Sequence, residues 1–411
     1  MTQQLHHKSA KKREGIISVY FQKCGNLFYS DGELSTERRP EFLRTWANVA
    51  NLEGVESGVL YTQGLPLETV APNNCKAELK EASKKMQAYS RALATAKVEL
   101  RDRRLVELIP EKALKHFLEL KNRVTEHVFE TYERPSNYDF LESVYRLLNR
   151  IGTQPLNLEL NALKSESHSL PAREFWKTAT KASPYVILDM FKSKTVRLTT
   201  CRGSFPIMTM AKKYRGIVRP QNDFFVELDY NAAELRVLLG LSNTPQPAED
   251  IHEWNRTEIY KSLPTRDEAK RRIFAWLYNP ASRDQESAGV YKKDEIVAQH
   301  FQEGTVTTPF GRTIPCDKFH ALNYLIQSTA SDLTLGSAVE IASYLDGNGS
   351  QSFVAFTMHD SIVLDMKEED LKYVEHISDI YGNTLWGKFR VNTKIGYDYG
   401  SLEEYIDEEN K

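Results

Sequence analysis

The stretch AFTMHDSIVLDM, residues 355–366, constrains this chain more than any other. It is an apolar, strand-like run carrying Phe356, Met358, Ile362, Val363 and Leu364, yet His359, Asp360 and Ser361 sit at its centre. A buried carboxylate without a partner is costly, so the run is interrupted here for a reason. Two readings fit. Asp-Ser is common turn chemistry, which makes the segment a plain hairpin. The other is a metal ligand raised on the tip of such a hairpin. Taken alone, the segment favours the turn and leaves the ligand open.

Size and composition narrow the field. A chain of 411 residues predicts two or three domains. Its 41% hydrophobic content is enough for real cores, and 27% charged residues is ordinary for a soluble protein. No apolar run reaches the roughly 18 residues of a membrane span, and MTQQLHHKSAKKREG lacks the apolar stretch of a signal peptide. Cys24, Cys75, Cys201 and Cys316 are scattered without CxxC spacing, which argues against a zinc site or a disulfide framework. A reducing, cytoplasmic setting is therefore expected. The net charge of −2 does not advertise a nucleic-acid binder. Basic clusters nevertheless occur at 11–13, 101–104, 212–215 and 270–272. Each alone reads as a solvated face.

Along the chain, GIISVYF and GVLYTQG are strand-like. From Leu79 the apolar positions Leu79, Ala82, Met86, Tyr89, Leu93, Ala96 and Leu100 alternate steps of three and four, which predicts a helix with one apolar stripe. Pro110 breaks the pattern, and EKALKHFLELKNRVTEHVFETY begins a second helix, so the pair reads as an antiparallel hairpin. After Arg197 the pattern is mixed. DFFVELDY is an apolar run ending in an acid, AAELRVLLGLS is helical, and a helix from about Thr265 to Tyr278 is stopped by Asn279-Pro280. ALNYLIQSTASDLTLGSAVEIASYL is a strong helix leading back to the opening segment.

Three constellations carry chemistry. In VELDYNAAELR, Asp229 ends an apolar strand, where it can cap the next helix or hold a metal. In TRDEAKRRIFAWLYNP, Arg266, Lys270, Phe274 and Tyr278 recur every four residues. They form one stripe of roughly 18 Å on a helix. Its cationic half suits a polyphosphate, and its aromatic half suits a flat base. The third is the pair Asp229 and Asp360. Two carboxylates on adjacent strands beside a phosphate-binding stripe describe a two-metal phosphoryl-transfer site, because magnesium takes few protein carboxylates and fills its remaining sites with phosphate and water.

In order and spacing these residues resemble the family A DNA polymerases, the bacterial polymerase I group and its phage relatives. Asp229-Tyr230 with Glu234-Leu235-Arg236 is similar to motif A, RDEAKRRIFAWLY to the O helix, and His359-Asp360 to motif C. RLTT (197–200), Asp250-Ile251-His252, TPFGR (308–312) and NYLIQSTASD (323–332) match lesser segments in the same order. The resemblance spans about residues 195–400, with the helical hairpin as the thumb.

It implies an α+β right-hand fold: palm, fingers and thumb, with an antiparallel palm sheet. Residues 1–74 are then an N-terminal region without a readable role, 75–195 the thumb and its connection, 196–242 palm with motif A, 243–306 fingers, and 307–411 palm with motif C. It also implies a DNA-directed DNA polymerase using primer–template DNA, deoxynucleotides and two Mg2+ ions, with Mn2+ as the alternative. Asp229 and Asp360 would be the catalytic metal ligands, helped by the Tyr230 carbonyl. Arg266, Lys270 and His252 would hold the triphosphate, Phe274 would stack on the nucleotide, and Tyr278 would border the templating base. Glu234 would exclude a 2′-hydroxyl. Arg197, Arg236, Asn323, Gln327 and His359 would contact the primer–template. A bacterial or phage-infected cell is the implied setting, and a clamp or helicase partner leaves no readable mark.

The chain also departs from the family. Ser361 stands where an acid usually follows His-Asp, which is closer to single-subunit phage RNA polymerases. Asn279-Pro280 replace a glycine, and Phe319 stands where an arginine is expected one turn before Asn323. Residues 1–74 are too few for a family-type exonuclease, so no proofreading is expected. The alternatives are an RNA polymerase or primase-like enzyme, and an inactive nucleic-acid-binding protein of the same fold.

Overall fold

The structure is a computed structural model. It describes residues 27–30, 33–35, 44–47, 56–57, 60–61, 67–98, 105–165, 169–195, 197–201, 203–279 and 281–405. GIISVYF, most of GVLYTQG, Leu100, Pro280 and the basic clusters at 11–13 and 101–104 lie outside these residues. The chain divides into two compact units, Met1–Thr153 and Gln154–Lys411.

The first unit holds a four-stranded sheet of β1 (Leu27–Ser30), β2 (Glu33–Ser35), β3 (Arg44–Ala47) and β4 (Glu56–Ser57), in the order β2-β1-β3-β4. Its helices are α1 (Leu67–Val70), α2 (Lys76–Thr95), α3 (Leu105–Leu108), α4 (Glu111–Thr131) and α5 (Tyr138–Thr153). The three-and-four spacing explains α2. Leu79, Ala82 and Met86 fall on one face and are buried with Leu114, Phe117, Leu118, Val124 and Val128 of α4. Each such side chain contributes about 1.5–3 kcal/mol by leaving water. A Leu114→Ala cavity would cost about 2–5 kcal/mol. Pro110 occupies the N-cap position of α4, where its missing N–H costs no helical bond. Val70 and Ala71 join this core, with Leu60, Tyr61 and Leu67 packed against it. Residues 154–195 belong to the second unit.

In the second unit, short strands β5 (Asn157–Leu158), β6 (Leu188–Asp189), β7 (Thr199–Thr200) and β8 (Val218–Arg219) accompany helices α6 (Ala162–Ser165) and α7 (Leu170–Lys181). Strand β9 (Phe224–Tyr230) leads to α8 (Ala233–Leu241). Next come α9 (Ile251–Trp254), which runs into a π turn at Asn255–Ile259, and α10 (Arg266–Tyr278). Helices α11 (Gln285–Tyr291) and α12 (Lys293–His300) precede a small sheet of β10 (Phe301–Gln302), β11 (Thr305–Thr307) and β12 (Thr313–Pro315). The 30-residue helix α13 (Lys318–Gly347) returns to the hairpin of β13 (Phe353–Met358) and β14 (Ser361–Met366). Helix α14 (Val374–Gly382), β15 (Asn383–Thr384), β16 (Gly387–Lys388), β17 (Val391–Gly396) and β18 (Glu403–Glu404) close the chain.

The central sheet has the order β13-β14-β9-β17-β18, with every neighbouring pair antiparallel. Phe225, Val226, Leu228 and Tyr230 of β9 are all buried, so both faces of this strand are covered. That is why it reads as a near-continuous apolar run rather than an alternation. Helix α13 packs on β13, β14 and α8, and its apolar residues from Ala321 to Leu345 are buried on more than one face. Among the described residues no helix is long and apolar enough to cross a membrane.

Candidate active site

Residues His359 and Asp360 form the turn between β13 and β14. The register sets Ser361 opposite Asp229 on one side of β9, and Asn392 opposite it on the other. The two acids are thus brought to one end of the sheet. His359 takes φ +56°, a left-handed conformation that costs an L-residue about 1–2 kcal/mol. The hydroxyl of Ser361 donates to the Met358 carbonyl at 3.1 Å and closes the turn.

Helix α14 braces both strands. The Tyr230 ring stacks on Tyr381 with centroids 4.0 Å apart. The Tyr230 hydroxyl donates to the Tyr381 carbonyl at 2.7 Å, and the Tyr381 hydroxyl donates to the Asp360 carbonyl at 2.5 Å. Asp229 does not cap α8, because the N-cap position belongs to Ala232, at φ +56° and without a side-chain bond.

Electrostatics mark this end of the sheet. Burial, then Asp360, then Glu227 push the Asp229 carboxyl up to about 7, against the opposing pull of Lys394 and an Asn392 hydrogen bond. Lys394 Nζ lies 3.7 Å from Glu227, on the strand next to β9. No cluster of three or more His, Cys, Asp or Glu side chains suited to a metal occurs among the described residues. The acids that the register brings to this end of the sheet are Asp229 and Asp360.

The second part of the site is α10. Thr265 caps it, accepting from the Glu268 amide at 3.3 Å. Rings of Phe274 and Tyr278 lie 5.9 Å apart and nearly parallel, and the His252 ring is 5.5 Å from Phe274. His252 is buried, and its Nδ1 has no hydrogen-bond partner. Burial lowers its pKa to about 4, helped by Arg266 and Lys270 and opposed by Asp250. Lys270 is exposed.

Arg266 is held by Asp250 in a two-pronged ion pair, Nε–Oδ1 2.8 Å and Nη2–Oδ2 2.7 Å. Asp250 also caps α9 through the amides of His252 and Glu253 and accepts from Asn231 at 2.8 Å. Burial pushes this carboxyl up, but the bonds from Arg266, Asn231 and Glu253 outweigh it and hold the group below the usual carboxylate range.

Glu234 joins the two parts. Its carboxylate accepts from Arg197 Nη2 at 2.5 Å and from the Tyr278 hydroxyl. Asp360 lies within electrostatic reach of Tyr278, and Arg197 within reach of His359. Asn323 and Gln327 share one half-buried face of α13.

One residue departs from expectation. Arg236 is fully buried, and its guanidinium donates to the carbonyls of Asn231, Pro247 and Glu249 at 2.8–2.9 Å. It pins the loop between α8 and α9 and has no surface to offer a nucleic acid. Reasoning from the sequence missed Glu227, Lys394, Asn392 and Tyr381. Glu227 could have been found, since it stands two residues before Asp229 on the same face of a strand. The other three reach the site only through the register of β17 and the packing of α14.

No protein-family model matches the sequence, and no curated protein matches it. Among solved structures, the fold is similar to the "POL domain of Pol1 from M. smegmatis complex with DNA primer-template and dNTP". The TM-score is 0.56 at 12% identity, covering 72% of this chain and 76% of that one. At that identity the likeness speaks for the fold: a mixed helix-and-sheet domain built like a polymerase domain.

Proposed function

We propose that the chain is a template-dependent DNA polymerase that extends a primer 3′ end with deoxynucleotides, without proofreading. In this reading 196–242 and 307–411 are palm, 243–306 are fingers, and the helices of 75–195 are the thumb and its connection. The observation that carries it is the convergence of Asp229 and Asp360 at one sheet end, within reach of the α10 ladder through Glu234 and Tyr278.

The donor set fits magnesium. Burial and the charges of Asp360 and Glu227 leave Asp229 short of positive charge, as its raised pKa records. Hard carboxylate and carbonyl oxygens are what this ion takes, with phosphate and water completing its shell. When bound, two such ions supply the Lewis acidity that lowers the pKa of the 3′-hydroxyl and stabilises the leaving oxygen.

The chain's own residues do the rest. Lys270 offers a free ammonium to the triphosphate, and His252, neutral at physiological pH, offers a ring nitrogen. Arg266 exchanges part of its bond with Asp250 for a phosphate oxygen. Phe274 stacks on the incoming base. Glu234, held from two sides by Arg197 and Tyr278, stands as a fixed wall beneath the sugar. As the 3′-oxygen bonds to the α-phosphorus, the bond to pyrophosphate breaks and the hydroxyl proton passes to water. His359, Arg197, Asn323 and Gln327 hold the primer–template near its end.

Ser361 favours a second reading, an RNA polymerase or primase-like enzyme. Its hydroxyl is tied to the turn, however, and the held Glu234 favours deoxynucleotides. Primer extension with dNTPs against NTPs tests the choice. Extension by dNTPs, lost in Asp360→Asn, is expected. Equal use of NTPs would sink the DNA-polymerase reading, and no extension with either would leave a binding protein.

A further inference from the structure

The N-terminal turns of α13 carry a surface that the reaction above does not use. Phe319 is 63% exposed, a large apolar ring left in water. Its ring lies 5.2 Å edge-on from His320, and His320 lies 5.7 Å from Tyr324. Asp317 caps the helix and fixes the His320 ring, accepting from the His320 amide at 2.9 Å and pairing with Nδ1 at 2.8 Å. Phe319, Asn323 and Gln327 follow one another every four residues, and so do His320 and Tyr324. The neighbours Ala321, Leu322, Leu325 and Ile326 are buried, which turns this double stripe outward.

What could cover such a ring? The exposed Asp317 carboxylate stands two residues away and repels a phosphate. The face of a base carries no such charge, and stacking on an aromatic ring needs no particular sequence. Bases inside a duplex show only their edges, so away from a duplex end a ring here reaches a face only where a base is unpaired. Continuity with Asn323 and Gln327 places the platform beside the nucleic acid of the preceding section. We infer that Phe319, steadied by His320 and Tyr324, is a stacking platform for an unpaired base of the bound primer–template. The inference rests on the polymerase reading for its ligand.

The test is equilibrium binding of the full chain to two fluorescent DNAs, one with a single-stranded template overhang and one a fully paired, covalently closed circle without ends, over a range of salt. Phe319→Ala should weaken overhang binding about 10-fold, the scale of one stacked base, and change closed-circle binding by less than about twofold. Phe319→Trp should keep the affinity. The slope against salt should stay that of wild type in both variants, because no phosphate contact is lost. Unchanged overhang binding by Phe319→Ala would overturn the inference, as would equal losses on both DNAs. A partner protein over the ring would give the first result. The measurement needs no turnover. A Phe319 effect without primer extension would leave the platform standing and remove the polymerase, and extension without a Phe319 effect would do the reverse.

Discussion

Two ends of one sheet handle buried acids in opposite ways. Asp365, near the end of β14, is 2% exposed and accepts from the backbone amides of Gln221 at 2.6 Å and Asn222 at 2.8 Å. Asp332 on α13 is fully buried and clasped by Arg312 Nε and Nη2 at 2.7–3.0 Å. Burial pushes both carboxyls up, yet the fold supplies each with donors, and they act as ties. At the other end, Asp229 faces Asp360 and Glu227, offset in part by Lys394 and an Asn392 hydrogen bond. A carboxylate that the fold satisfies belongs to the fold. One that the fold leaves in debt is built for something that arrives later.

The contrast can be broken most sharply by exchanging function for stability. Asp360→Asn should lower primer extension on the order of 10^3-fold, the scale of removing a transition-state electrostatic group, with no fall in Tm. A thermal loss instead would make Asp360 a tie like Asp365. Next, Arg312→Ala should destabilise the protein by about 3–5 kcal/mol, because it strands a buried charge. Chemical denaturation reads this, and a loss under 1 kcal/mol would show that Asp332 is satisfied by other means. Asp365→Ala should cost about 1–3 kcal/mol for each amide left without an acceptor. The rate per folded molecule should not move.

Smaller effects refine the picture. Glu234→Ala should raise use of NTPs relative to dNTPs about 10–100-fold, the range in which single pocket contacts discriminate. An unchanged ratio would remove Glu234 from the sugar. The last prediction is a pH dependence. The folded pKa of Asp229, about 7, lies above its ordinary 3.8. The unfolded chain therefore loses this proton first, and the group's contribution to stability is lost as pH rises from about 4 to about 7. The Tm of metal-free protein should fall across that window by a few degrees more than that of Asp229→Asn. Magnesium should restore it at pH 8. Parallel curves for the two proteins would mean that burial and its neighbours do not raise the Asp229 pKa.

The sequence made Asp229, Asp360 and the α10 ladder legible because each is a local pattern: an acid closing an apolar run, an interrupted strand, a four-residue stripe. Helices α2 and α13 were legible by the same periodicity. What escaped was tertiary. The grip of Asp250 on Arg266 joins residues sixteen apart across α9 and its π turn, and Tyr278 reaches Glu234 across 44 positions. Arg236 reads as a surface cation by residue type, yet loop carbonyls capture it in the interior. Strands of two residues, such as β5 and β6, have no period to read.

The tyrosine brace behind the acids has a consequence for transplanting this site. Asp229 sits on β9 and Asp360 on the turn between β13 and β14, and helix α14 reaches both through Tyr230, Tyr381 and the Asp360 carbonyl. Their separation is a dimension of three elements together, as the span of an arch belongs to its keystone as much as to its two piers. Grafting the hairpin tip into another sheet would carry the ligands across and leave the ruler behind.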